Sequence, residues 1–131
     1  MPTKTTIFRA SVIGGLLAVA ACANPEIEAA KQLEIQGSDV SAEAAREYKR
    51  LAHFEDKQMW DKASAIAFSE KAIAASNGFI GTEPAGDKAV RDAEIANAYR
   101  YLNHMRALGA DRIAPKETGQ AIARLDCWAE Q

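Results

Sequence analysis

The chain has 131 residues and a formal net charge of −2, and it contains no basic run and no basic patch interleaved with aromatic residues. This argues against a nucleic-acid partner. Aromatic residues make up only 7% of a chain in which alanine dominates, a profile typical of one small domain of closely packed helices.

The first 21 residues have the pattern of a secretory signal peptide. Lys4 and Arg9 form a basic n-region, and an apolar h-region follows from Ala10 to Ala21. This h-region is shorter than the ~20 residues that a membrane-spanning helix requires. The pattern therefore predicts an N-terminal signal helix in residues 1–21 that the mature protein lacks.

The h-region ends in Val19-Ala20-Ala21-Cys22, which resembles the lipobox of bacterial lipoproteins. The pattern predicts cleavage before Cys22 and lipid attachment at Cys22, where two or more acyl chains would make a durable anchor. The alternative is cleavage after Ala23, which would release a soluble periplasmic protein without the cysteine. The lipoprotein resemblance implies a diacylglyceryl thioether and an acylated amine on Cys22, and the Ala23 that follows favours sorting to the outer membrane.

Loss of the signal peptide changes the charge and the cysteine content. Removal of Lys4 and Arg9 leaves 14 basic against 18 acidic residues, a net charge of −4. Cys127 is then the only cysteine besides the lipid site. In an oxidising compartment this thiol is expected to be buried, paired with another chain, or paired with a residue outside this chain.

Residues 22–40 are predicted to form a lipidated tether. Asn24 and Pro25 have the residue types of a cap and a first helical position, and Gly37 could close the short helix that they open. The apolar residues of this helix are too few to form a core. The segment is therefore expected to hold the domain off the lipid surface.

Two helices are predicted directly after the tether. The first begins at a Ser41 cap and runs to about Gln58. The second begins at an Asp61 cap, with Trp60 expected to pack back on its first turn as a hydrophobic staple. Gly78 is suited to the left-handed cap that would end it.

Two more helices are predicted after a surface loop at residues 79–86. One extends from Asp87 to a stop at Gly109, and Pro115 opens the last helix, which is still amphipathic where the sequence ends.

No region alternates polar and apolar residues as a strand would, so the predicted fold class is all-α. We expect residues 41–131 to form an α-helical domain, a small array of antiparallel helical hairpins with about four mature helices. The arrangement is loosely tetratricopeptide-like, although no second copy occurs at that repeat's period of about 34 residues.

The sequence contains no pattern of residues typical of a catalytic site. His53 and His104 have no ligand partner at metal-binding spacing, so no metal and no cofactor is predicted. Cys127 has no base nearby in the sequence, so we predict no catalytic residue. The helical register favours core packing for Tyr99 and exposure for Tyr101. Several acidic residues are expected on solvated helix surfaces among lysines: Glu55, Asp56, Asp61 and Glu70.

A series of short motifs covers nearly the whole mature chain. They are Glu47-Tyr48, Ala52 to Glu55, Met59-Trp60-Asp61, Ala65, Phe68, Lys71, Ala74-Ala75, Gly109-Ala110, Ala114-Pro115, Leu125-Asp126-Cys127-Trp128 and Glu130-Gln131. Together with the lipobox, this pattern resembles the N-terminal helical region of OmpA-family outer-membrane lipoproteins from alphaproteobacteria. Leu125 stands where that family usually has phenylalanine.

The resemblance implies a linker and a C-terminal peptidoglycan-binding domain after the helical region. That domain is absent from this sequence, so no wall-binding residue is transferred and peptidoglycan would be contacted only through that domain. The resemblance also implies a further cysteine beyond the present sequence as the disulfide partner of Cys127. The present sequence would then be a fragment or a truncated relative of such a protein.

The sequence thus predicts a non-enzymatic cell-envelope lipoprotein, a helical structural or interaction module at the periplasmic face of the outer membrane. Its expected partners are the membrane, through Cys22, and other envelope proteins. The alternative is a stand-alone periplasmic helical adaptor that binds a peptide or an envelope-assembly partner. An OmpA-like domain downstream in the reading frame would favour the first, and a stop codon the second. A hydrolase or inhibitor that uses Cys127 is a third reading, without a positioned base to support it.

Overall fold

The computed structural model describes residues 23–81 and 92–131. Within these ranges the chain is helical and contains no strand, which confirms the all-α prediction. The helices are α1 (Pro25–Gln32), α2 (Val40–Phe54), α3 (Lys62–Ser76), α4 (Ala93–Ala107), α5 (Ala110–Ile113) and α6 (Pro115–Glu130), with a π-helical turn (Glu55–Met59) directly after α2. The predicted signal helix and Cys22 lie outside the described residues.

Helix α2 is the centre of the fold and packs against both α3 and α6. Gly119, near the start of α6, lies against Ala44, and Asp126, near its end, bonds to Tyr48, so α2 and α6 run in the same direction. Small side chains dominate the shared core, which allows the helix backbones to approach closely. The core side chains are Ala44, Ala45, Tyr48, Leu51, Ala52, Phe68, Ala72, Ala75, Ile122 and Ala123.

Helix α1 packs against α3 and, less extensively, α2. Ile27 and Ala30 are buried, so this part of the predicted tether 22–40 is seated on the helical body. The helix ends at Gln32, before Gly37, because the backbone of Leu33 adopts an extended conformation. Leu33 packs against the core, which accounts for the early end.

The N-terminal caps agree with the prediction at α3 but differ at α2. Asp61 caps α3, since its Oδ1 accepts a hydrogen bond from the Ser64 N–H at 3.1 Å. Asp39, not Ser41, caps α2, and its Oδ1 accepts from the Ala42 N–H at 2.8 Å. The Ser41 hydroxyl instead donates to Asp39 at 2.8 Å. The Ser41 prediction is wrong because a carboxylate two residues earlier already satisfies the free N–H group.

The C-terminal caps of α3 and α4 follow the predicted glycines. Gly78 has φ +85°, and its N–H donates to the Ala75 oxygen at 2.9 Å while the Phe79 N–H donates to the Ala74 oxygen at 3.0 Å. This bond pair is the Schellman motif. Gly109 has φ +100° and follows the end of α4 in the same left-handed conformation.

The connection between α2 and α3 corrects the staple prediction for Trp60. This residue has φ 57°, an uncommon left-handed conformation for a bulky side chain, and it is 79% exposed. Its N–H donates to the Glu55 oxygen and closes the π-helical turn. The turn therefore points the indole into solvent, and Trp60 cannot pack back on α3.

Helix α4 packs mainly against α6 through Ile95 and Tyr99, which meet Leu125 and Ala129. The predicted helix start at Asp87 lies outside the described residues. Within them, α4 begins at Ala93 after an Asp92 cap. Pro115 opens α6 as predicted. Two further expectations are confirmed by the side chains of this layer, since Tyr99 is buried and Tyr101 is 68% exposed.

Candidate functional site

Cys127 lies on α6, half-buried, with a free thiol. Burial raises the pKa of the thiol, and the negative charge of Glu55 raises it further. A raised pKa leaves less thiolate at neutral pH, and the thiolate is the nucleophilic form. Cys22, the predicted lipid site, lies outside the described residues, and a disulfide from Cys127 to a residue outside this chain stays a prediction.

Glu55, the first residue of the π-helical turn, was expected on a solvated surface, and this expectation is wrong. Its side chain is only 2% exposed, and within the described parts of the chain its Oε1 has no hydrogen-bond partner. Burial raises the pKa of this carboxyl, and the nearby Asp61 charge adds to the shift. The π-helical turn carries Glu55 inward and leaves one oxygen of its buried carboxyl, Oε1, without a compensating donor.

Asp56 was also expected at the surface but is buried. It receives a hydrogen bond from the Lys62 ammonium on Oδ1, and its Oδ2 faces Lys57 Nζ at 3.0 Å and Lys31 Nζ at 3.8 Å as ion pairs. The Lys62 bond, followed by the Lys57 bond, lowers the pKa of Asp56 to about 2. The cluster links the π-helical turn to α1 and α3 by charge.

Asp126 on α6 is the acceptor at the centre of a buried polar cluster. Its Oδ2 accepts from the Tyr48 hydroxyl at 2.5 Å and from Lys71 Nζ at 2.7 Å, and its Oδ1 accepts from the Tyr99 hydroxyl at 2.5 Å. These donors come from α2, α3 and α4. Burial, and then the Asp126 charge and hydrogen bond, raise the pKa of both tyrosines well above the ordinary value. The cluster therefore joins four helices at one buried carboxylate.

Glu47 joins α2 to α6 on a neighbouring face. Its carboxylate accepts from Arg50 Nη2 at 2.6 Å and from Arg124 Nε at 2.8 Å. The hydrogen bond from Arg50 is the largest cause of the lowered pKa of Glu47, and Arg124 lowers it further.

A cavity of about 390 Å³ opens between α1, α2 and α3. Ile27, Ala30 and Ala52 form its apolar floor. All the charged or titratable side chains that line it are basic, and they stand at its rim with Ser69 deeper inside: Lys31, Arg46, Lys49, Arg50 and His53. The arrangement can hold an apolar group beneath an anionic one.

Within residues 23–81 and 92–131, no group of three or more His, Cys, Asp or Glu side chains is arranged to hold a metal ion. Likewise, no described helix combines the length and the apolar character needed to cross a bilayer.

The sequence reasoning missed the role of Asp126 and the cavity. A signal for Asp126 was present, because this acid lies within the apolar stripe Ile122, Leu125 and Ala129, where a charged residue must find partners if it is buried. The cavity had no such signal, since it depends on how α1 is seated on the other helices.

No protein-family model matches this chain, and neither a curated protein nor a solved structure matches it. The resemblance to OmpA-family lipoproteins therefore rests on the sequence motifs alone.

Proposed function

We propose that the protein is a non-enzymatic cell-envelope lipoprotein, a helical structural or interaction module anchored at the periplasmic face of the outer membrane. The observation that carries this proposal is the apolar h-region ending in Val19-Ala20-Ala21-Cys22 behind a basic n-region. Two or more acyl chains on Cys22 would hold the module durably on the membrane, whereas one chain binds only marginally.

The short distance from Cys22 to α1 supports a close attachment. Only Ala23 separates Cys22 from Asn24, the residue before the first turn of α1. Two residues span at most ~7 Å, at ~3.3–3.6 Å per residue. A lipid on Cys22 would therefore keep α1 and the helices that it packs against near the headgroups, so α1 would belong to the anchored body and not to a free tether.

The finer architecture that we propose is an array of helical hairpins, loosely tetratricopeptide-like, with α2 and α3 as one antiparallel hairpin. In support, a π-helical turn and two further residues connect these helices. The Tyr48 ring in α2 also stacks on the Phe68 ring in α3, with centroids 6.3 Å apart. Such helix pairs present faces to which partner proteins can bind.

The non-enzymatic part of the proposal is supported by the surroundings of Cys127. Burial is the largest cause of the raised pKa of its thiol, the negative charge of Glu55 is the next, and the positive charge of Arg50 opposes them only in part. A raised pKa disfavours the thiolate that a nucleophilic mechanism would need.

The decisive experiment is the intact mass of the protein purified from the membrane fraction of its native host. The proposal requires residues 22 onward with the mass of a diacylglyceryl group and an amide-linked acyl chain. Metabolic labelling with radioactive palmitate adds a matched pair of variants, since Cys22→Ser should lose the label and Cys127→Ser should keep it. A protein that begins at Asn24 and is recovered in the soluble periplasmic fraction would refute the anchor.

The second candidate is a stand-alone periplasmic adaptor that binds a peptide or an envelope-assembly partner. It is favoured by exposed apolar side chains at i, i+4 and i+7 on α4 and its C-cap residue, which is the spacing of a helix face that receives a partner: Tyr101, Met105 and Leu108. The same mass measurement separates the two, because the adaptor requires the unlipidated form.

A further inference from the structure

The cavity between α1, α2 and α3 plays no part in the proposed anchoring, and its lining is chemically divided. Its volume of about 390 Å³ lies within the ~300–1,000 Å³ range of small-molecule sites. Taking ~30 Å³ for a water-sized group, this space accommodates roughly a dozen such groups. One unbranched hydrocarbon chain of about twelve carbons matches that capacity.

The floor of the cavity offers contacts for hydrocarbon and no hydrogen-bond donor for an anionic group. Ile27, Ala30 and Ala52 contribute only apolar side-chain atoms. The Ser69 hydroxyl, which also lines the cavity, already donates to the Ala65 carbonyl oxygen at 2.7 Å. The hydroxyl oxygen can still accept a hydrogen bond, but a carboxylate has no hydrogen to donate to it. A carboxylate that entered this floor would therefore lose its hydrogen bonds to water without replacement, so the inner part of an anionic ligand has to be apolar.

The rim of the cavity is basic, unlike its floor. Among the lysines and arginines of the rim, Lys49 is the one whose charge is not neutralised by an ion pair with a described carboxylate. Arg46 and Arg50 each pair with a glutamate of α2, at 2.7 and 2.6 Å. Lys49 Nζ donates instead to the Leu33 carbonyl oxygen at 2.8 Å and forms no ion pair with a carboxylate of the described residues. This bond holds the ammonium group at the rim while two of its three N–H donors remain for a ligand.

His53 lies four residues after Lys49 on α2 and lines the same cavity. Side chains at this spacing stand on the same helix face about one turn apart. An anionic group at the mouth would therefore meet an ammonium and an imidazole N–H together. A carboxylate can accept from both, since its two oxygens provide about four acceptor positions.

We propose that this cavity binds a single-chain fatty acid of about twelve carbons, with the tail on Ile27, Ala30 and Ala52 and the carboxylate between Lys49 and His53. The inference does not depend on the lipid anchor, because none of the residues that it uses precedes Ile27. A diacyl phospholipid fits less well, since two tails need about twice the volume of one.

The direct test is calorimetric titration of the mature chain, residues 22–131 with Cys22→Ser, whose helical fold is first checked by circular dichroism. Dodecanoate, kept below its micelle-forming concentration, should bind saturably at one molecule per chain. Dodecyltrimethylammonium has the same tail with a cationic head and should bind at least tenfold more weakly. Vesicles containing phosphatidylglycerol should not bind in a Lys49-dependent way.

Matched variants locate the site. Lys49→Gln should weaken dodecanoate binding about tenfold, which corresponds to one hydrogen bond to a charged group, whereas Lys116→Gln on the exposed start of α6 should leave it unchanged. Ala30→Leu should fill the floor and abolish binding, whereas Ala29→Leu, exposed on the same helix, should not. Thermal melting shows whether the Ala30→Leu chain folds. If it does not, the binding measurement on Lys49→Gln tests the site by itself.

Three results with the single-chain ligands and the variants would overturn the inference. They are a folded wild-type chain that does not bind dodecanoate saturably, equal binding of the cationic amphiphile, and unchanged affinity in folded Lys49→Gln. Lys49-dependent binding to the anionic vesicles would also overturn it, because the basic rim would then serve a membrane surface.

Discussion

Gly119 of α6 lies directly against the backbone of Ala44 in α2. A Cβ atom on Gly119 would stand 2.6 Å from the Ala44 nitrogen and 2.8 Å from the Val40 carbonyl oxygen. Both are backbone atoms, so no side-chain rotation relieves the overlap. The glycine is therefore what allows α2 and α6 to approach so closely along the core.

We expect Gly119→Ala to lower the free energy of unfolding by about 2 kcal/mol, within the ~1–3 kcal/mol range of overpacked cores. This cost outweighs the ~1 kcal/mol that alanine gains over glycine in helix propensity. Urea denaturation measures the change. Gly81→Ala is the control, because nothing lies within 4 Å of its added Cβ, and it should change stability by less than ~0.5 kcal/mol. An equally stable Gly119→Ala protein would mean that the helices are farther apart.

The Asp126 cluster predicts unequal effects of removing tyrosine hydroxyl groups. Tyr48→Phe and Tyr99→Phe should each cost about 1.5–3 kcal/mol, since each removes a hydrogen bond to a buried carboxylate. Tyr101→Phe is the matched control on an exposed tyrosine and should cost less than ~0.5 kcal/mol. Thermal unfolding of the three variants gives the comparison. Equal effects in all three would argue against a shared carboxylate.

The same two tyrosines predict a loss of stability at alkaline pH. Their pKa values are raised in the folded state, because burial and the Asp126 charge oppose a phenolate. The stability that they contribute is therefore fully present below the ordinary pKa of 10.0 and is lost as pH rises above it. Each should contribute a slope of about 1.4 kcal/mol per pH unit. Denaturation between pH 9 and 11 should show a shallower loss in Tyr48→Phe than in wild type, and equal slopes would contradict the prediction.

The regular parts of the fold could be predicted because their signals are local. Asp61, Gly78, Gly109 and Pro115 fixed helix ends through their own caps or backbone conformations. The Ser41 cap failed because Asp39 competed for the same N–H group. Local chemistry of this kind decides an end to within one or two residues.

The polar interior could not be predicted because it depends on contacts between distant elements. Glu55 and Asp56 have the lysine neighbours of a solvated face, but a π-helical turn rotates them inward. Asp126 accepts a hydrogen bond from Tyr48, which lies 78 residues earlier in the sequence. No local pattern specifies such a pair, and the cavity rim depends in the same way on where α1 packs.

The Asp56 cluster predicts sensitivity to acid. The pKa of the Asp56 carboxyl is lowered from 3.8 to about 2. The stability that its lysine partners contribute is therefore present above pH 3.8 and is lost as pH falls toward 2. Asp56→Asn should be less stable than wild type by up to ~1 kcal/mol at pH 6, a small effect because the Lys57 and Lys62 side chains are more than half exposed. The difference between the two proteins should shrink toward pH 2. A difference that does not change with pH would assign the effect to packing.

The proximity of Glu55 to Cys127 predicts the reactivity of the thiol. Burial is the larger cause of the raised pKa of Cys127, and the Glu55 charge is the next. Glu55→Gln removes that charge while the side chain keeps its size, so it should lower the thiol pKa and speed alkylation by iodoacetamide several-fold at pH 8, where more thiolate is then present.

Glu117→Gln is the control, since it removes an exposed acid from the first turn of the same helix and should leave the rate unchanged. The measurement is made on Cys22→Ser chains so that one thiol reports, and all variants should react at the same rate in denaturant. An equal native rate in Glu55→Gln and wild type would mean that burial alone controls this thiol.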